Sequence, residues 1–183
     1  MTRDELQQVL DEADCLADET QVRQAITEVA AAVTRDLAGA MPMVLCVVKG
    51  GIVFAGQLLM QLRFPLDFDY LHATRYDGET AGGALTWRVP PSAGLAGRHV
   101  LVVDDILDVG ATLDAIVAAC FAQGAASVRT AVLVEKQHDR KIRPGLKADY
   151  TGLVIADRYL FGYGMDYRGY WRNAPGIYAV KGL

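Results

Sequence analysis

Apolar residues recur along this chain at two spacings, and the spacings alternate. Between residues 19 and 38, Val22, Ile26, Val29, Val33 and Leu37 mark one face of a helix. Asp18 or Thr20 is placed to cap it, and Gly39 to stop it. Residues 3–13 show a similar helical spacing. The runs 43–48, 66–73, 99–103, 128–135 and 152–156 are short and mostly aliphatic, as in strands covered on both faces. Segments 52–62 and 111–121 suit helices, 84–89 a hairpin strand, and 90–97 turns. Residues 76–83 hold three glycines and several charges without periodicity, which predicts a mobile loop. Strands alternating with helices predict an α/β fold, with a mostly parallel twisted sheet flanked by helices. The length of 183 residues fits a single domain spanning 1–183.

The most informative segment breaks this pattern. The apolar run 99–103 ends in Asp104 and Asp105, followed by Asp108, Gly110, Ala111 and Thr112 at the start of a predicted helix. In open α/β sheets, ligands bind beyond the carboxyl ends of the strands. Alternation along a strand points adjacent side chains in two directions. One carboxylate is then free for a metal or hydroxyl while the other supports the loop. Gly110 permits a tight turn, and a helix start offers free N–H groups to a phosphate. Capping by Asp108 or Thr112 is the plainer explanation, but it does not account for three carboxylates. Lys49-Gly50-Gly51, between strand and helix, is a second anion-binding candidate, with two glycines exposing backbone N–H groups beside a cation. It lacks the Walker pattern.

Composition narrows the classes. The apolar fraction is 52% and the charged fraction 22%, ordinary for a globular protein. A net charge of −4 argues against a broad nucleic-acid-binding face. No apolar run reaches the roughly 18 residues of a spanning helix, so no membrane partner is expected. Cys15, Cys46 and Cys120 form no Cys-x-x-Cys pair, and His72, His99 and His138 lack metal-ligand spacing. A reduced, cytoplasmic protein is expected.

Four segments, in this order, resemble the type I phosphoribosyltransferases, and more narrowly the bacterial hypoxanthine-guanine phosphoribosyltransferases. They are Val48-Lys49-Gly50-Gly51, Arg75-Tyr76, the acidic segment, and the run from Phe161 to Asn173. The resemblance implies a small hood built from terminal segments, about 1–40 and 152–183. It implies Mg2+ as cofactor, with phosphoribosyl pyrophosphate and a 6-oxopurine as substrates and IMP or GMP and pyrophosphate as products. Lys49, Gly50 and Arg172 would bind the pyrophosphate, with a cis peptide before Lys49. Asp104 and Asp105 would meet the ribose diol and the metal, and Asp108, Val109, Gly110, Ala111 and Thr112 would cradle the 5′-phosphate.

By the same resemblance, Asp108 would also accept a proton near the purine N7. Lys136 would hydrogen-bond the 6-oxo group, Tyr159 would stack on the base, and Leu160 would offer backbone contacts. Asp166 would lie near the purine 2-position and a second Mg2+, and Arg75 and Tyr76 would belong to a closing loop. A homodimer or homotetramer is implied. The alternatives are a xanthine-preferring enzyme and a non-catalytic regulator of the same fold. The chain departs from the family at three points: Asp104 replaces the usual Glu, Val109 a Thr, and Arg75 a small Ser.

Overall fold

The computed structural model describes residues 1–75, 85–91 and 94–182. The loop expected at 76–83, Tyr76 included, lies outside the described residues. Helix α1 spans Arg3–Glu12 and α2 Glu19–Leu37. Both begin with a reciprocal capping box, Thr2 with Glu5 and Asp18 with Gln21. Of the two candidate caps for α2, Asp18 is the one used. Helix α1 buries none of its residues, whereas α2 buries Val22, Ile26, Val29, Val33 and Leu37, the predicted face.

Six strands form the main sheet in the order β4-β3-β2-β5-β6-β7. They are β2 (Met43–Val47), β3 (Asp67–Arg75), β4 (Leu85–Val89), β5 (His99–Leu107), β6 (Ser127–Gln137) and β7 (Tyr150–Ala156). All neighbours pair in parallel except β3 with β4, the hairpin predicted from 84–89. The strand period of two sorts the core between the faces. Val44, Cys46, Leu101 and Val103 join α2 and α3 (Ile52–Leu59) on one face. Leu45, Val47, Val100 and Val102 join α4 (Ala111–Ala122) on the other. Strands buried on both sides follow from this arrangement.

Two departures bear on the site. Strand β5 runs to Leu107 rather than ending at 103. Its pairing with β2 stops at Cys46–Val103, while its pairing with β6 continues to Leu107–Glu135. Beyond Val103 one flank of β5 is therefore free, and Asp104 and Asp105 occupy that stretch. The second departure is a separate three-stranded sheet, β1-β9-β8. It joins β1 (Asp14–Ala17), β8 (Leu160–Phe161) and β9 (Ile177–Ala179). This sheet draws on both terminal ranges expected to form a hood. Helix α2 packs with the main sheet, and β7 is that sheet's edge strand.

Candidate active site

Three pieces of backbone converge where β2 leaves the ladder. The first is the turn after β2, in which the Val48–Lys49 peptide is cis, as the resemblance implies. The second is the free flank of β5. The third is the turn around Gly164, which has a φ of +107°. A Cβ on Gly50 would overlap the Asp105 carboxylate, and one on Gly164 would overlap the Gly50 carbonyl. A Cβ on Gly51 would sit 2.8 Å from the carbonyl oxygens of Val103 and Val47. Glycine at these positions is a condition of the close approach.

Asp105 is buried and Asp104 half-buried, and neither has a cationic partner at salt-bridge distance among the described residues. Asp105 is 8% exposed, and its N–H donates to Asp104 Oδ1 at 2.9 Å. Burial, reinforced by the adjacent Asp105, holds the Asp104 carboxyl well above the usual carboxylate range. Burial also raises Asp105, opposed by a hydrogen bond with Asp104 and by the Arg172 guanidinium. Two adjacent carboxylates, one buried and one half-buried, with an all-oxygen donor set suit a hard divalent cation such as Mg2+. The residues present fit that ion.

After β5 the chain turns through Gly110, at φ +89°, into α4. The N-cap is Gly110, which has no side chain to cap with, and the Asp108 carboxylate is engaged by Lys136 and His138. The first turn of α4 lines a cavity, and N–H groups at a helix start are left without intrahelical partners, a general setting for an anion. The cavity, of about 410 Å3, is lined by Gly50, Asp104, Asp105, Asp108, Val109, Gly110, Ala111, Thr112 and Arg172, among others. Lys49 is exposed and lies between two lining residues, Val48 and Gly50.

A neighbouring cavity of about 270 Å3 is lined by Asp105, Ile106, Asp108, Lys136, Tyr159, Leu160, Met165 and Asp166. The two cavities share Asp105, Ile106 and Asp108. Lys136 Nζ lies 3.2 Å from Asp108 Oδ2 and 3.3 Å from Asp157 Oδ1. Asp166 accepts from the Gly169 N–H at 2.6 Å and pairs with Arg172, which also donates to the Gly164 carbonyl at 2.5 Å. Tyr159 is 42% exposed, with its ring edge-on to Tyr167 at 5.7 Å. A further cavity, at the amino ends of β2, β3 and β5, is lined by Met41, Asp67, Arg98 and their neighbours. It holds none of the predicted site residues.

The residues from 12 to 168 match the model of the phosphoribosyl transferase domain. The chain belongs to that family. It is 32% identical over 167 residues to a hypoxanthine-guanine phosphoribosyltransferase of Streptococcus pneumoniae, covering 91% of this chain and 92% of the relative. It is 33% identical over 166 residues to a hypoxanthine-guanine-xanthine phosphoribosyltransferase of Tritrichomonas foetus, covering 91% and 90%. A hypoxanthine phosphoribosyltransferase from Staphylococcus aureus superposes with a TM-score of 0.86 at 28% identity, covering 92% of this chain and 91% of the other.

Within this phosphoribosyl transferase, the fold gathers the acidic segment, Gly50, Lys136, Tyr159, Leu160, Asp166 and Arg172 around the paired cavities. Arg75 closes β3, and Tyr76 lies outside the described residues. The aromatic run divides. Tyr163 is buried and hydrogen-bonds Gln57 at 2.9 Å, and Trp171 Nε1 donates to the Leu6 carbonyl at 2.8 Å. Tyr170 is 53% exposed. Two polar neighbours escaped sequence reasoning. His138 Nε2 stands 2.7 Å from Asp108 Oδ1, and Asp157 completes the group around Lys136. His138 lies just beyond the end of β6, two residues after Lys136, and no local pattern in the sequence marks it.

Proposed function

We propose that this phosphoribosyl transferase acts in purine salvage, moving 5-phosphoribose from phosphoribosyl pyrophosphate to hypoxanthine or guanine. A purine ring nitrogen forms a bond to the anomeric carbon as the bond from that carbon to pyrophosphate breaks. The products are IMP or GMP and pyrophosphate. The observation that carries the reading is the placement of Asp108. It stands where the cavities of about 410 and 270 Å3 meet, with Lys136 at 3.2 Å.

The first cavity suits the phosphoribosyl group. Backbone N–H groups at the start of α4 and the Thr112 hydroxyl would hold its 5′-phosphate. Lys49, Gly50 and Arg172 would take the pyrophosphate. Asp104 and Asp105 would hold Mg2+, and Asp166 would contribute to a second ion. When bound, Mg2+ neutralises charge that builds on the departing pyrophosphate.

In the second cavity, Tyr159 and Leu160 would receive the base. The Lys136 ammonium donates hydrogen bonds and accepts none, which selects a 6-oxo group over the 6-amino group of adenine. The attacking purine must lose a proton, and the Asp108 carboxylate is placed to accept it. No side chain need form a covalent bond to the sugar; positioning and electrostatics supply the rate.

The proposal extends to a cytoplasmic homodimer or homotetramer. The three unpaired thiols suit a reducing compartment. Exposed Phe68 and Tyr70, alternate residues of β3, offer apolar surface for self-association. No helix among the described residues is long and apolar enough to cross a membrane.

Nucleotide formation from hypoxanthine, guanine, xanthine and adenine, with phosphoribosyl pyrophosphate and Mg2+, tests the reading. Hypoxanthine and guanine should yield product and adenine none. Absence of product from every base would sink it in favour of a non-catalytic regulator. The likeness to the Tritrichomonas foetus relative supports a second reading, in which xanthine is also a substrate. The xanthine reaction decides that point.

A further inference from the structure

We propose that His138 is a positioning residue that orients the Asp108 carboxylate through a hydrogen bond from its Nε2–H. The proposal rests on the reading of Asp108 as proton acceptor and goes beyond it, to the group that aims the carboxylate. The His138 side chain is 5% exposed, and its Nε2 lies 2.7 Å from Asp108 Oδ1. The other ring nitrogen settles the direction of that bond. The backbone N–H of Arg140 donates to His138 Nδ1 at 3.0 Å. An Nδ1 that accepts a hydrogen bond carries no proton, so the neutral ring bears its proton on Nε2, facing Asp108.

The chain after β6 holds this imidazole in place. It crosses the acidic loop as a strap and touches it at successive points. Lys141 Nζ donates to the Leu107 carbonyl at 3.0 Å, and the Ile142 N–H donates to the Val109 carbonyl at 3.0 Å. Arg143 pairs with Asp114 at 2.6 Å. A Cβ on Gly110 would collide with the Leu146 side chain. His138 is thus the first contact of a brace running alongside residues 107–114.

The two partners of Asp108 differ in what happens when a base arrives. Lys136 holds Asp108 Oδ2 here, and in the proposed reaction its ammonium turns to the 6-oxo group. His138 has no such second task. Its contact stays on Oδ1 and keeps one carboxylate oxygen aimed while the other is released toward the base. A metal ion held by Asp108, His138 and Asp157, whose ligand atoms lie within 4.8 Å of one another, is a poorer account. The Lys136 ammonium already occupies the space between the two carboxylates, at 3.2 and 3.3 Å.

Steady-state kinetics of H138L and H138Q test the inference. Glutamine places an N–H donor near the position of Nε2, and leucine fills the space without one. H138L should lose about 10–100-fold in kcat, the scale of a misaligned catalytic group, with KM for phosphoribosyl pyrophosphate within about twofold of wild type. H138Q should recover most of the loss. H138L with wild-type kcat, or H138Q as slow as H138L at equal melting temperature, overturns the proposal. A measurement on the unaltered protein stands independently of how the variants fold. Histidine 15N shifts should show His138 as the Nε2–H tautomer, and the Nδ1–H tautomer would refute the assignment. If wild type makes no nucleotide, the reading of the reaction has failed, and the tautomer still decides the geometry.

Discussion

Gly50 and Asp105 occupy space that a single added methyl group would make mutually exclusive. A Cβ on Gly50 would fall inside the Asp105 carboxylate, which is itself 8% exposed and held by its neighbours. G50A must therefore move either the carboxylate or the turn after β2. Displacement of about 1 Å at a reacting centre costs on the order of 100-fold in rate, so kcat/KM should fall by about that factor. Gly56 provides the control, because a Cβ there meets nothing within 4 Å. G56A, inside α3, should keep full activity and stabilise the helix by about 0.5–1 kcal/mol. Equal activity in the two variants would refute the close-approach argument.

In the proposed reaction, the chemistry turns on Asp108. Asparagine keeps its shape, and its one amide oxygen can still accept from His138 or Lys136, though not from both; the side chain is 39% exposed, so the fold should survive. Loss of a positioned general base costs typically about 10²–10⁴-fold, and D108N should lose turnover within that range. Its KM for phosphoribosyl pyrophosphate should stay within a few-fold, since the proposed phosphate cradle is mostly backbone. Wild-type turnover in D108N would exclude proton acceptance by this carboxylate.

The legible parts of this fold are those that local chemistry specifies. Strands buried on both faces announce themselves as continuous apolar runs, and α2 shows its core face through Val22, Ile26, Val29, Val33 and Leu37. Asp104, Asp105 and Asp108 stand out because carboxylates after a buried strand require an explanation. The small sheet is different. Strand β8 has two residues and β9 three, and β9 pairs with β1 across more than 150 positions of chain. Such strands carry too few residues to show a period, and only tertiary contacts define them. The extension of β5 to Leu107 was hidden for a related reason. A strand entering a ligand site trades apolar residues for acidic ones, so its apolar pattern stops before its hydrogen-bond ladder does. His138 escaped because nothing local marks a histidine whose partner lies 30 residues earlier.

Asp36 ties the end of α2 to two strands. It accepts from the Tyr150 hydroxyl at 3.1 Å and lies 3.3 Å from an Arg129 nitrogen. A hydrogen bond from Arg35, aided by Tyr150 and opposed by partial burial, lowers its carboxyl below the ordinary 3.8. A carboxyl lowered in the folded state binds fewer protons there than in the unfolded chain. Its stabilisation is present above the unfolded value and fades as pH falls through the folded one. D36N should therefore melt about 1–3 °C below wild type at pH 7, a shift typical of a modest loss in a chain of this size. The difference should shrink below pH 3.8. A gap that is constant across pH would assign the effect to packing rather than charge.

Val109 tests how the proposed phosphate cradle would work without the hydroxyl that the family resemblance leads one to expect there. The residue lines the larger cavity, and the Ile142 N–H fixes its carbonyl at 3.0 Å. The backbone at this point is thus held by the strap whichever side chain is present. Valine and threonine have nearly the same shape, so V109T adds a donor with little steric change. A hydrogen bond to a charged group contributes about 1.5–3 kcal/mol, equivalent to roughly tenfold or more in affinity. KM for phosphoribosyl pyrophosphate should drop by about tenfold in V109T. Because the 5′-phosphate does not change during the reaction, the new bond strengthens ground state and transition state alike, and kcat should not rise. V109A removes bulk without adding a donor and should leave KM near wild type. If V109T also leaves KM unchanged, the backbone donors at the start of α4 together with Thr112 already saturate the phosphate, and the missing hydroxyl has no consequence for binding.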